Sequence, residues 1–173
     1  MSLNIKLLAM DCDGVMTDGG LFYHDDGSET RRFNVKDGAW IRIWSRQDLK
    51  TAIITGKVSD AVKKRADDLD VDYLYQKAHY KGQVFLQLLE DSGIPAEHIA
   101  FIGDDIIDLP VIQQVGFSVA VADAVEEVRE AADWVTQAKG GQGAVQEVIR
   151  YLLKEMGLYE QAMERYLVQP DQV

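Results

Sequence analysis

The sequence predicts an α/β chain: a parallel sheet covered by helices on both faces, with a β-hairpin inserted early and no second domain. Two observations predict it. Short apolar runs alternate with segments of helical spacing from end to end, the pattern of a parallel sheet wrapped on both sides. The runs also end in polar residues: Asp11-Cys12-Asp13-Gly14 after the first, Thr55-Gly56 after the second, Gly103-Asp104-Asp105 after the fourth. Open parallel sheets bind ligands at the carboxyl ends of their strands.

The run Ile5 to Met10 is short, apolar and closed by a turn signal, so it reads as a buried strand. Residues 19–24 and 29–33 flank Asp25-Asp26-Gly27-Ser28 and read as a hairpin spanning about 19–33. Leu21, Phe22, Tyr23 and Phe33 are expected to be exposed on it and to make a subunit contact. Asp37 is expected to cap a helix whose apolar side is Ala39, Ile41, Ile43 and Trp44. A second strand, Thr51 to Ile54, precedes a charged helix that starts at Ser59 or Asp60 and runs to about Asp68. Val71 to Tyr75 is the third strand, and Lys81 to Glu90 a helix closed by Gly93 and Pro95. The fourth strand is Ile99 to Ile102. A helix from about Leu109 to Val115, the strand Ser118 to Val121, a helix near 124–132 and an edge strand at Trp134-Val135 follow. After the loop Gly140-Gly141-Gln142-Gly143, an amphipathic helix runs from about Ala144 to Glu155, and a helical tail occupies about 156–173. With no internal repeat, linker or low-complexity segment, residues 1–173 read as one domain.

Composition narrows the function. A chain of 173 residues can bury about 70% of its unfolded surface. Its 29 acidic residues against 18 basic give a net charge of −11, which argues against a nucleic-acid partner and against attachment to anionic lipid. No apolar run approaches the roughly 18 residues of a membrane span, and the start lacks a charged-then-apolar signal pattern, so the expected compartment is the cytoplasm. The single cysteine, Cys12, excludes an internal disulfide and a cysteine-cluster metal site.

The polar strand ends suggest the chemistry. In an extended chain Asp11 and Asp13 face one side, roughly 6.6 Å apart, which suits either two surface acids or a nucleophile beside a general acid/base. A hydroxyl and a glycine amide at Thr55-Gly56, with Lys81 opening the helix after the third strand, suit phosphate oxygens. Carboxylates without His or Cys nearby suit Mg²⁺. A carboxylate attacking a phosphate dianion meets repulsion of about 4 kcal/mol per charge pair at 4 Å and a dielectric of about 20, so the cation and Lys81 are needed to oppose it.

These motifs resemble those of the haloacid dehalogenase superfamily of phosphatases. Asp11 to Asp18 matches the first motif, Thr55 the second, Lys81 the third, and Gly103-Asp104-Asp105 with Asp108 the fourth, in order across essentially the whole chain. The resemblance implies a three-layer αβα, Rossmann-like fold without a cap. It makes Asp11 the nucleophile that forms an aspartyl-phosphate, and Asp13 the group that protonates the leaving alkoxide and then activates water. Mg²⁺ would sit on Asp11, the backbone carbonyl of Asp13, and Asp104, with Asp105 and Asp108 orienting that set and Lys81.

A narrower, capless and homotetrameric group is resembled through Phe33 to Gly38, Tyr75-Gln76, Ile102 to Pro110, Ser118 to Ala124 and Gln137 to Gly141. Its members remove phosphate from a phosphorylated eight-carbon keto-sugar acid of lipopolysaccharide synthesis, and in it hairpins pack together while neighbours help close the site. Specificity is then expected from the rim: Lys57, Lys36, the Gly140-Gly141 loop and a neighbouring subunit. Lys57, Lys77 and Gln146 stand where that group has arginine, glycine and arginine, which leaves a nonulosonate or sialic acid 9-phosphate as the alternative substrate. A non-catalytic phosphate-accepting regulatory module would carry its acceptor after the third strand, which here ends Leu74-Tyr75-Gln76 without an acid. Elsewhere the bland reading prevails. His24, His79 and His98 are expected outside any catalytic arrangement, Cys12 to be packed, and Trp40, Trp44 and Trp134 to serve core or interface. Asp67, Asp68, Asp70 and Asp72 are expected to be solvated helix-end charges.

Overall fold

The computed structural model describes residues 3–167. The positions of the expected tail beyond 167 lie outside the described residues. Six parallel strands form the central sheet: β1 (Leu7–Met10), β4 (Lys50–Ile54), β5 (Tyr73–Tyr75), β6 (Ile99–Gly103), β7 (Phe117–Ala120) and β8 (Trp134–Val135). The order across the sheet is β5-β4-β1-β6-β7-β8. The chain thus grows outward from β1 on one side, then crosses back to start the other half at β6. That reversal creates a crevice beside β1, at the carboxyl edge. Every residue of β1 is fully buried, as a strand covered on both faces must be.

The hairpin is a separate two-stranded sheet, β2 (Phe22–Tyr23) against β3 (Glu29–Thr30), with Phe22 opposite Thr30. Phe22 and Tyr23 are exposed as expected. Phe33 is not: it packs on the core beneath the Arg65 guanidinium, because the bridge between Thr17 and Phe33 turns it inward.

One helical layer holds α1 (Val35–Ser45), α2 (Asp60–Asp68), α6 (Ala144–Glu155) and α7 (Tyr159–Leu167). The other holds α3 (Lys81–Ser92), α4 (Leu109–Ile112) and α5 (Glu126–Ala131). Helix α6 buries Ala144, Val145, Val148, Ile149, Leu152 and Leu153, a stripe at helical spacing that packs on α1. Helix α3 ends at Gly93 with φ of 65°, a left-handed cap that glycine adopts without strain.

Three local expectations are corrected. The cap of α1 is Asn34, whose side chain accepts from the Lys36 N–H at 2.8 Å. Asp37 instead lies buried inside the first turn, where it accepts from the Gln146 N–H at 2.8 Å and ties α1 to the start of α6. Asp72 is not a solvated charge: its carboxylate takes the Thr51 N–H at 2.9 Å and Lys50 Nζ at 2.7 Å, pinning the start of β5 to β4. Helix α4 starts at Leu109 as expected but stops at Ile112, where Gln113 closes it, short of the expected Val115. Lys77, where glycine was the expected residue, has φ of 60°, a conformation that glycine adopts more cheaply.

Candidate active site

Register brings the predicted acids together. Met10 pairs with Ile53 on one side and Ile102 on the other, so Asp11, Thr55 and Asp104 emerge at the same edge of three adjacent strands. The Asp11 N–H donates to Ile102 O, extending the ladder one step and fixing the carboxylate at the mouth of the crevice. After Asp13 the chain turns at Gly14, with φ of 97°. A Cβ there would lie 2.0 Å from Asp104 Oδ2, so only glycine lets that carboxylate approach.

Lys81 is the electrostatic centre. Its side chain is fully buried, with Nζ 2.7 Å from Asp11 Oδ1 and 2.6 Å from Asp108 Oδ1. Burial works against its charge, yet the two carboxylates outweigh it and hold the ammonium above its ordinary range. Asp108 Oδ2 accepts from the N–H groups of Asp104 and Asp105, so both of its oxygens are engaged. It serves as a bracket between the fourth strand end and Lys81. Asp105 has a different place: its exposed carboxylate caps the turn that follows, accepting from the Ile106 N–H, while its own N–H donates to Asp108 Oδ2 and its carbonyl accepts the Asp108 N–H.

Asp11, Asp104 and Asp108 each offer a carboxylate oxygen, all within 4.8 Å of one another. Burial, partly opposed by Lys81 and reinforced by Asp108, pushes Asp11 up to about 6. Burial together with the charges of Asp11 and Asp108 pushes Asp104 up to about 8. Asp104 Oδ1 is buried and has no hydrogen-bond partner among the described residues. An all-oxygen group that repels itself and leaves a buried acceptor unmatched is what a hard divalent cation would satisfy. Because Asp108 is engaged by donors, Asp11 and Asp104 are the side chains left to face such an ion.

Thr55 is buried, with its N–H on Tyr75 O and its carbonyl receiving Ala78 N–H, so its position is fixed by backbone alone. A Cβ on Gly56 would meet nothing closer than Ala78 O at 4.0 Å, leaving that amide open to the crevice. Lys57 is exposed and reaches the hairpin, with Nζ 3.3 Å from the Tyr23 hydroxyl. Lys36 lies in the first turn of α1. It lines a cavity of about 590 Å³ with Gln142, Gln146, Arg150 and Lys154, on the α1 and α6 face.

Cys12 is buried, and burial next to Asp13 and Asp11 pushes its thiol up, away from reactivity. His24 pairs with Thr30, and His98 with Asn4 O. Trp44 is core, whereas Trp40 stacks on Tyr159 and Trp134 on Tyr151.

Two contacts of the site are not legible in the sequence. Arg31, at the end of the hairpin, has its side chain fully buried and donates from Nε to Asp13 Oδ1 at 2.8 Å. In the sequence it is a cation directly after β3, two positions before Phe33. The Gly140-Gly141 loop packs directly under the first motif: a Cβ on Gly140 would meet Gly14 O at 1.7 Å, and the Gly141 N–H donates to Val15 O at 2.9 Å. The loop is therefore part of the floor below Asp11 and Asp13 as well as of the rim.

Comparison with known proteins matches residues 46–149 to the model of haloacid dehalogenase-like hydrolases. Over 159 residues the chain is 44% identical to 3-deoxy-D-manno-octulosonate 8-phosphate phosphatase of Escherichia coli K12, covering 92% of this chain and 85% of that protein. The same enzyme from Yersinia pestis superposes with a TM-score of 0.90 at 43% identity, over 92% of this chain and 86% of that one. The Moraxella catarrhalis enzyme, solved with magnesium ion, phosphate ion and KDO, superposes with a TM-score of 0.92 at 34% identity, over 95% of each chain. This chain belongs to the haloacid dehalogenase-like hydrolase family.

Proposed function

We propose that this protein is a Mg²⁺-dependent phosphatase that hydrolyses 3-deoxy-D-manno-octulosonate 8-phosphate to the free sugar acid and phosphate, supplying a lipopolysaccharide precursor. The observation that supports this most directly is the buried Lys81 set between Asp11 and Asp108, in a cluster with Asp104, one oxygen of which has no partner among the described residues. Such a set is costly to bury and stabilises little by itself, which points to chemistry. The two carboxylates and the glycine-made approach fit Mg²⁺, which Asp11 and Asp104 with the Asp13 carbonyl would hold. The ion supplies positive charge that offsets repulsion between Asp11 and the phosphate.

Each side chain then has one task. Lys81 fixes one oxygen of Asp11, so the carboxylate meets phosphorus in a single orientation. Asp11 attacks, the phosphorus–oxygen bond to the sugar breaks, and Asp13 passes its proton to the departing alkoxide. Asp13 then takes a proton from water as that water attacks the aspartyl-phosphate, releasing phosphate and restoring both acids. Thr55 and Gly56 hold the phosphate oxygens. Lys57, at the mouth, faces the sugar carboxylate.

We further propose that one capless domain spans the chain, that it acts in the cytoplasm, and that four copies assemble through the hairpins. Phe22 and Tyr23, at 61% and 66% exposure, support the assembly. Phosphate release from 3-deoxy-D-manno-octulosonate 8-phosphate, measured with Mg²⁺, with EDTA and with Asp11→Asn, tests the activity. Turnover that survives both EDTA and Asp11→Asn would overturn it, as would turnover confined to a nonulosonate 9-phosphate.

A further inference from the structure

We infer that Arg31 is a positioning residue for Asp13, so that the hairpin takes part in leaving-group protonation within its own subunit. The inference rests on the phosphatase reading and adds to it the group that aims the acid.

The geometry is specific. The guanidinium spans from hairpin to crevice: Nε donates to Asp13 Oδ1 at 2.8 Å, and Nη1 donates to Glu29 Oε2 at 2.7 Å and Ser59 Oγ at 2.9 Å. Those partners belong to three separate parts of the chain: the first motif, the hairpin, and the cap of α2. The Arg31 side chain is entirely buried, while that of Asp13 is 26% exposed. Burying a guanidinium costs several kcal/mol unless paired, so a hairpin of two residue pairs would not keep one for its own sake. Glu29 alone would neutralise it.

The contact also divides the two Asp13 oxygens. Oδ1 is held, while Oδ2 accepts no hydrogen bond among the described residues. A carboxyl whose one oxygen is fixed must carry its proton on the other, which is the arrangement an acid needs to face an alkoxide. Arg31 Nη2 lies on the same guanidinium edge as Nε, is buried, and has no partner among the described residues.

The experiment compares an alkyl phosphate with p-nitrophenyl phosphate, whose leaving group needs no proton. Arg31→Gln is expected to lower kcat on the alkyl ester by about 100-fold or more, the range of general acid catalysis, and on p-nitrophenyl phosphate by less than about 5-fold. Arg31→Lys, which keeps charge and one donor, should recover part of the loss. In the Asp13→Asn background, adding Arg31→Gln should cost nothing further, because the residue acts through Asp13. Equal losses on both esters, or full additivity with Asp13→Asn, would overturn the inference and leave the phosphatase reading standing. A wild-type chain that hydrolyses neither ester would overturn both.

Discussion

The strongest consequence of the Asp11–Asp104 pair is that the metal-free protein should lose stability as the solution becomes more alkaline, and that Mg²⁺ should reverse this. Both carboxyls are raised in the folded state, from 3.8 to about 6 for Asp11 and to about 8 for Asp104. Between these pH values the folded chain binds protons that the unfolded chain has released, so stability falls as pH rises through the window. From about pH 5 to pH 8 this covers roughly one pH unit for Asp11 and three for Asp104, about 1.4 and 4 kcal/mol at 1.36 kcal/mol per unit. The two shifts share one mutual repulsion and Asp104 is partly open to solvent, so the expected loss is about 3–5 kcal/mol. Urea unfolding in EDTA at the two pH values measures it directly. With Mg²⁺ the loss should vanish, because the ion stabilises the ionised pair and binds only the folded site. Asp104→Asn should make the metal-free protein more stable than wild type at the higher pH while removing the response to Mg²⁺. A metal-free protein equally stable at both pH values, or more stable at the higher one, would refute the reasoning.

Lys81→Met removes one cation from between two buried carboxylates and should destabilise the fold by about 3–5 kcal/mol at neutral pH, measured by urea unfolding, with phosphate release abolished. Gly14→Ala places a methyl into Asp104 at a backbone angle that disfavours alanine, so Mg²⁺ affinity, read by calorimetry, should fall at least tenfold. Lys57→Ala should reduce kcat/KM for 3-deoxy-D-manno-octulosonate 8-phosphate by about 10- to 150-fold, the worth of one charged contact, and leave p-nitrophenyl phosphate nearly unchanged. Phe22→Asp with Tyr23→Asp should split the assembly into smaller species in sedimentation, since both rings are exposed on the hairpin.

Much of this protein was determined by local sequence. Apolar runs too short for helices, each followed by a turn, could only be buried strands. The polar residues that close them had to meet at one edge once the strands ran parallel, which placed Asp11, Thr55 and Asp104 together. Helix α6 was readable to its bounds because its apolar stripe is regular and glycine precedes it. What the sequence could not decide were contacts between groups far apart in the chain. Asp37 looks like a cap from its neighbours alone, and only the packing of α6 on α1 gives it the Gln146 N–H instead. Lys36 and Lys57 read as one rim; in the fold Lys57 reaches Tyr23 of the hairpin and Lys36 lines a cavity with residues of α6. Arg31 carries no distinguishing signal in the sequence beyond its place in the hairpin. The folded chain brings it against Asp13, 18 positions away, and Ser59, 28 positions away, and closure of that loop, rather than any local propensity, makes the contact.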